Sequence, residues 1–378
     1  MSGPLAGIKV LEFESIGPAP FAGMMLADMG ADVLVIDRPA AGDLGLSRER
    51  WYDVMMRGKR SVTLDLKKNA SVCLDLVASA DILIEGMRPG VMERLGLGPD
   101  EALRRNPRLV YGRMTGWGQA GPLAPRAGHD INYIALAGVL HAFGRKDEAP
   151  VPPLNLVGDF GGGGMLLAFG VACALLEAQR SGKGQVIDAA MVDGAALLAA
   201  MFHGFLKANL WRETRGDNVL DTGAPWYDVY ETQDGKYVSI GAIEARFYKE
   251  LLQKTGVADL GQHDRSRWPE MRVRFANTFK SKTRDEWCRV FEGSDACFAP
   301  VLSWSEARSH PHSASRNAYV SLNGVPQPAP APRFSRTPAE VRGGPPERGQ
   351  GGRAALAQWG FSEADIDRLK KNGLHMGE

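Results

Sequence analysis

The sequence predicts an α/β protein with a mostly parallel sheet in its first half and a smaller α+β domain after it. Three observations carry this. Short apolar runs alternate with helix-like segments through the first half, the pattern of βαβ units. From about Trp226 the period changes to alternating residues on either side of a Gly-containing turn, the signal of a hairpin. A Pro- and Gly-rich stretch, Val325–Arg353, then separates this part from one last helical pattern. A chain of 378 residues is long enough for two such domains.

In order, the expected parallel strands are Ile8–Phe13, Val33–Asp37, Ile82–Glu85, Leu109–Met114 and Val186–Asp188, with helices such as Phe21–Met29 and Ala70–Ala78 between them. Met165–Gln179 and Val192–Leu210 read as two long, largely buried helices. Tyr227–Glu231 and Tyr237–Ile240 form the hairpin, followed by helices at Ala245–Thr255, Met271–Thr278 and Arg284–Glu292. Val325–Arg353 should build no regular elements, and Glu363–Lys371 should be helical. The expected domains are 1–190 completed by 325–378, and 225–324, joined by linker helices at 191–224.

Composition excludes several function classes. Lys and Arg number 45 against 44 Asp and Glu, so no strong basic field suits a general nucleic-acid binder. A polyanionic ligand must be held by a local cluster. The four cysteines stand singly, with no metal-ligand spacing, so no metal is expected. The first residues lack the pattern of a secretion signal, and no 18-residue apolar run suggests a membrane span. A cytoplasmic location follows as the expectation.

A nicotinamide dinucleotide is excluded by the turn after the first strand, Glu14-Ser15-Ile16-Gly17-Pro18-Ala19-Pro20. Its two prolines remove N–H donors where a pyrophosphate needs them. Arg38, following Asp37, changes the ligand suited to the second strand's end from a ribose hydroxyl to a phosphate.

Three segments hold candidate chemistry. Gly128-His129-Asp130-Ile131-Asn132-Tyr133 places a neutral-pH proton carrier in a dense polar group; a helix cap is the alternative. Gly158-Asp159 precedes four glycines, Gly161 to Gly164. These permit close approach of a ligand to free N–H groups, or simply tight packing of helices. Glu244, in Gly241-Ala242-Ile243-Glu244, is either a functional carboxylate at a strand end or an acid at a helix start. Arg38, Arg57, Lys59 and Arg88 adjoin expected strand ends, where they can gather around phosphates.

The strings GPAPFAGMMLADMGADV, RGKRSVTLDLK, GHDINY, PLNLVGDFGGGG, GKGQVIDAAMVDG, LDTGAPWYDVYET and VSIGAIEARFY together resemble the α-methylacyl-CoA racemases, a family within the family III CoA-transferase superfamily. The resemblance runs from about residue 5 to 310 and weakens through the Pro-rich segment. It implies a large Rossmann-like domain, a small domain and two interlocked chains forming a homodimer. It implies inversion of the α-carbon of 2-methylacyl-CoA thioesters, with no cofactor because coenzyme A is part of the substrate. His129 and Asp159 become the two acid/base groups, and Glu244 orients His129. Arg38, Lys59 and Arg88 fall where the family contacts the CoA nucleotide, and Asp130 and Tyr133 line the pocket floor. Ala245-Arg246 stand where many relatives carry Pro-Gln, which leaves the rigidity of that loop open. Two other functions fit less of the pattern. A CoA transferase would use Asp159 as a nucleophile and form an acyl-aspartyl intermediate, leaving His129 and Glu244 without a task. A CoA-binding protein without catalysis would need none of the three.

Overall fold

The computed structural model describes residues 2–40, 42 and 49–377. The chain divides into two compact units. Met1–Ala137, Pro153–Ala199 and Asn317–Glu378 form one, and Gly138–Pro152 with Ala200–Arg316 form the other. The tail therefore joins the first unit from residue 317, and the segment 138–152 groups with the second.

The first unit is built on six strands: β1 (Lys9–Phe13), β2 (Asp32–Asp37), β3 (Arg60–Thr63), β4 (Ile82–Glu85), β5 (Val110–Thr115) and β6 (Gln185–Ala190). They stand in the order β3-β2-β1-β4-β5-β6, with every pair parallel. This is the doubly wound order whose direction of growth reverses between β1 and β4. The sequence of β2, DVLVID, shows why its apolar run is continuous: all six residues are buried. Leu34 and Ile36 join one core with Val72, Leu76, Leu356 and Leu369, whereas Val33 and Val35 join the other with Ala22, Leu26 and Leu167. Alternate side chains face opposite layers, and helices cover both.

β3 escapes the sequence reading because it is short and begins with Arg60. Its edge is covered by the returning tail: the Ser61 N–H donates to the Gln350 carbonyl at 2.9 Å, and Thr63 and His375 exchange backbone bonds at 2.8 and 2.9 Å. Covering removes an edge otherwise open to another strand. The tail helices Gly352–Gln358 and Glu363–Lys371 bury Leu356, Ile366 and Leu369. Trp359 follows the first of them and donates its indole N–H to Asp32 Oδ2 at 2.8 Å.

Two expectations on secondary structure need correction. The expected helix Val192–Leu210 is two helices, Met191–Leu198 and Ala200–Lys207, parting at Ala199 where no local residue marks a break. The Pro- and Gly-rich stretch begins with a strand, β11 (Val325–Pro328), antiparallel to β10 (Tyr319–Leu322). Asn323 and Gly324 both have positive φ between them, so an Asn-Gly hairpin turn was legible there.

Among the described residues one helix, Leu156–Ser181, is long and apolar enough to cross a membrane, with a mean hydropathy of 1.6 over its most apolar window. Its inner residues Leu167, Val171, Ala174 and Ala178 are buried in the core of the first unit.

The second unit holds an antiparallel sheet, β7 (Tyr227–Glu231), β8 (Tyr237–Gly241) and β9 (Phe298–Val301), with β8 central. Helices Ala245–Thr255, Trp268–Phe279 and Arg284–Phe291 supply its aromatic core. Tyr230 stacks on Phe279 with ring centroids 5.4 Å apart, and Trp287 meets Phe279 edge-on at 5.0 Å.

Candidate active site

In a doubly wound sheet, chain leaves the carboxyl ends of two neighbouring strands in opposite directions, opening a crevice at the reversal point. Here that crevice is a cavity of about 300 Å³, walled by Ile16 and Pro18 after β1, Gly86 to Pro89 after β4, and Gly116 and Trp117 after β5. His129, Tyr133 and Asp159 are among the other residues that wall it. The loops after β1 and β4 thus put Arg88 beside the groups expected to do the chemistry.

His129 lies at the N-terminus of the helix Asp130–Leu136, and its backbone N–H donates to Asn132 Oδ1 at 3.0 Å. The side chain stands exposed at the cavity. Asp130 points inward and is buried; its Oδ1 accepts the Asp159 N–H at 2.7 Å. One dipeptide therefore does two things: His129 faces the cavity, and Asp130 fixes the backbone that carries Asp159. The Tyr133 hydroxyl donates to the Gly128 carbonyl. Burial first, then the Asp159 charge, pushes the Tyr133 phenol up to about 12, so it stays a neutral hydrogen-bonding group.

Asp159 sits in a wide helix, Leu156–Met165, whose hydrogen bonds span five residues and which continues into the long helix Leu166–Ser181. Such wide turns are frequent at functional sites. Asp159 Oδ2 accepts from Asn155 Nδ2 at 3.0 Å. Burial raises its carboxyl above the usual range, helped by the charge of Asp130, against the opposing Asn155 bond and His129. Desolvation thus outweighs the groups that favour the ionised form.

Of the two roles open to the glycines, the geometry favours tight packing of helices. A Cβ on Gly162 would come within 2.6 Å of the Ala195 nitrogen, and one on Gly194 within 1.8 Å of the Gly162 carbonyl oxygen. They let two helix backbones touch. Gly161 is half-buried and does not wall the cavity, so its proposed contact with substrate has no support in this geometry. Gly17, missed as a site residue, matters more: it has φ of 63°, and a Cβ there would lie 3.1 Å from Asp159 Oδ2. The turn that excludes a dinucleotide is thus the wall opposite Asp159. Arg126 and Trp117 were also missed; both wall the cavity. The strand-order rule was the available signal for the loops after β1 and β4.

Two phosphate-binding expectations are corrected. Arg57 is buried, donating to both oxygens of Asp28, to Gln327 Oε1 at 2.9 Å and to the Pro328 carbonyl at 2.7 Å. Lys59 is buried against Glu12, at 2.7 and 2.8 Å from its two oxygens, and donates to the Pro20 carbonyl at 2.9 Å. Their side chains hold the sheet to its first helix and do not reach solvent. Arg88 is exposed at the cavity, and Arg38 is half-buried at the end of β2, where its N–H donates to Glu14 Oε2 at 2.8 Å.

Glu244 belongs to the second unit. It is the exposed residue before the helix Ala245–Thr255, and its side chain makes no capping bond. Its loop is held from behind: Gln262 Nε2 donates to the carbonyls of Ala242 and Ile243 at 2.9 and 2.8 Å. Gln262 is itself buried, and its carbonyl takes the indole N–H of Trp226 and Trp268, each at 2.9 Å. Rigidity here comes from Gln262 and needs no proline at position 245.

A model of CoA-transferase family III matches residues 5–351. The chain belongs to CoA-transferase family III. This family III chain is 44% identical over 377 residues to the alpha-methylacyl-CoA racemase of Mus musculus, covering 98% of this chain and 97% of that protein. It is 43% identical to the racemase of Homo sapiens over 379 residues, with coverage of 98% and 97%. Among solved structures, Rv3272 from M. tuberculosis superposes with a TM-score of 0.76 at 29% identity, covering 92% of this chain and 98% of that one.

Proposed function

We propose that this family III chain is an α-methylacyl-CoA racemase that inverts the α-carbon of 2-methylacyl-CoA thioesters by two-base proton transfer. The observation that carries this is the single cavity at the sheet's reversal point, walled by both His129 and Asp159, with Asp159 displaced toward its neutral form. Inversion needs a base to take the α-proton from one face and an acid to return one to the other. A carboxyl raised by burial suits the donating role, and an exposed imidazole suits the accepting role; in the reverse direction they exchange. The negative charge passes to the thioester oxygen as the enolate and returns to carbon on reprotonation. Both proton transfers are internal to the site, and coenzyme A enters only as part of the substrate. Glu244 is assigned to orient the imidazole of His129. Arg88 and Arg38 are assigned to the CoA phosphates, with Arg126 as an added cation at the cavity.

A homodimer is part of the same proposal. Large apolar side chains stand exposed on helices of the first unit, among them Phe169 at 67%, Leu197 at 61% and Leu136 at 61%. Exposed apolar side chains of this size suit burial against a partner, and a second copy supplies one. Cytosolic placement is also proposed, supported by four unpaired cysteines, of which Cys173 and Cys297 are exposed.

The test is incubation of one enantiomer of a 2-methylacyl-CoA in heavy water without a CoA acceptor. Inversion with deuterium at the α-carbon is expected. Stable configuration, no deuterium, and a hydroxylamine-sensitive acyl-enzyme would replace this reading with acyl transfer through Asp159.

A further inference from the structure

The second unit contains a cavity of about 570 Å³ that the proposed reaction does not use. Its wall carries five cationic side chains, Arg145, Lys146, Arg212, Arg265 and Arg272, and a single carboxylate, Asp217. Lys146, Arg212 and Arg265 all converge on Asp217, at 3.4, 2.8 and 3.5 Å. Arg145 and Arg272 both pair with Asp228, which is buried behind the wall. Two carboxylates cannot neutralise five guanidinium and ammonium groups.

The neighbouring charges do not close the gap. Asp221 is taken up by backbone N–H groups of Gly216, Asn218 and Gly223, and Asp264 by that of Ser266. Arg215 adds a further cation, bound to the His141 and Arg145 carbonyls at 2.8 and 3.3 Å. Glu148 lies beside Arg145 and Arg215; with all of these included, six cations face five carboxylates. The first residues of the helix Trp268–Phe279, Trp268 and Pro269, form another part of the wall, and a helix start adds partial positive charge.

A second observation points the same way. Thr222, at the rim, has φ of 75°, a region that β-branched residues avoid. Arg272 holds the strained turn, donating to the Thr222 and Gly223 carbonyls at 2.6 and 2.8 Å. Strain retained at a cavity rim is typical of ligand clamps.

We propose that this cavity is a second anion site, which takes a phosphorylated small molecule. Its volume suits a ligand of nucleotide size, and its arginines offer forked donors matched to phosphate oxygens. The phosphates can come from a free metabolite or from coenzyme A itself.

The experiment titrates inorganic pyrophosphate, and separately CoA, into the full-length protein at low ionic strength by calorimetry. Wild type is compared with Lys146→Ala/Arg212→Ala, whose side chains are 53% and 61% exposed. Loss of two charge-assisted contacts should weaken pyrophosphate about tenfold or more. A parallel loss for CoA identifies the substrate's phosphates as the ligand, and unchanged CoA affinity identifies a free phosphorylated molecule. If the double variant fails to fold, Lys146→Gln alone should still weaken pyrophosphate several-fold. Absent or equal pyrophosphate binding in wild type and variant overturns the site.

Discussion

At the scale of single residues, the proposed reaction rests on two side chains whose environments differ. His129 is exposed at the cavity, while Asp159 is half-buried with Asp130 at its back. His129→Ala and Asp159→Asn should each lower inversion about 10²-fold or more, with CoA affinity changed little; polarimetry and calorimetry measure the two. The raised carboxyl of Asp159 also predicts a stability effect. A folded-state value above the unfolded one means that the native protein binds the proton more tightly. The group's favourable contribution is therefore present at low pH and is lost as pH rises through the folded value. Asp159→Asn removes that loss, so its melting temperature should exceed wild type at neutral pH. The advantage should vanish toward pH 4, and a constant difference across the range would contradict the assignment.

Among elements, the site depends on contacts made far from the chemistry. Gly194→Ala forces a Cβ against the Gly162 carbonyl and should cost about 1–3 kcal/mol, read by denaturant melts. Lys59→Met leaves Glu12 buried without its cation, and burial already pushes that carboxyl up to about 7. A loss of about 3–5 kcal/mol is expected; an intact fold with weaker CoA binding would instead return Lys59 to the phosphate site. Gln262→Leu frees the Ala242 and Ile243 carbonyls. Turnover should fall while CoA binding persists, because Glu244 sits on the loop that Gln262 holds.

For the whole molecule, the exposed apolar helices predict sedimentation near twice the chain's 40.9 kDa, and Phe169→Glu should shift it toward the monomer. The returning tail is the other global constraint. Trp359 is 3% exposed and bonded to Asp32, so Trp359→Ala should cost about 3–5 kcal/mol despite lying 19 residues from the C-terminus.

The sequence by itself determined the periodic elements. β4 and the helices Ala245–Thr255 and Glu363–Lys371 have the expected bounds, because local apolar spacing and caps suffice to define them. It also marked the residue types able to move a proton, since His129 and Asp159 stand in dense polar or glycine-rich segments. Tertiary structure decided the rest. That β1 and β4 are neighbours, and so open a cavity beside Asp159 and Gly17, is a matter of strand order, which no local window contains. The same holds for Arg57 and Lys59: as sequence they are basic residues near a strand, and only their burial against Asp28 and Glu12 makes them structural. A charge's role follows from what lies within a few ångströms of it, and those neighbours come from distant parts of the chain.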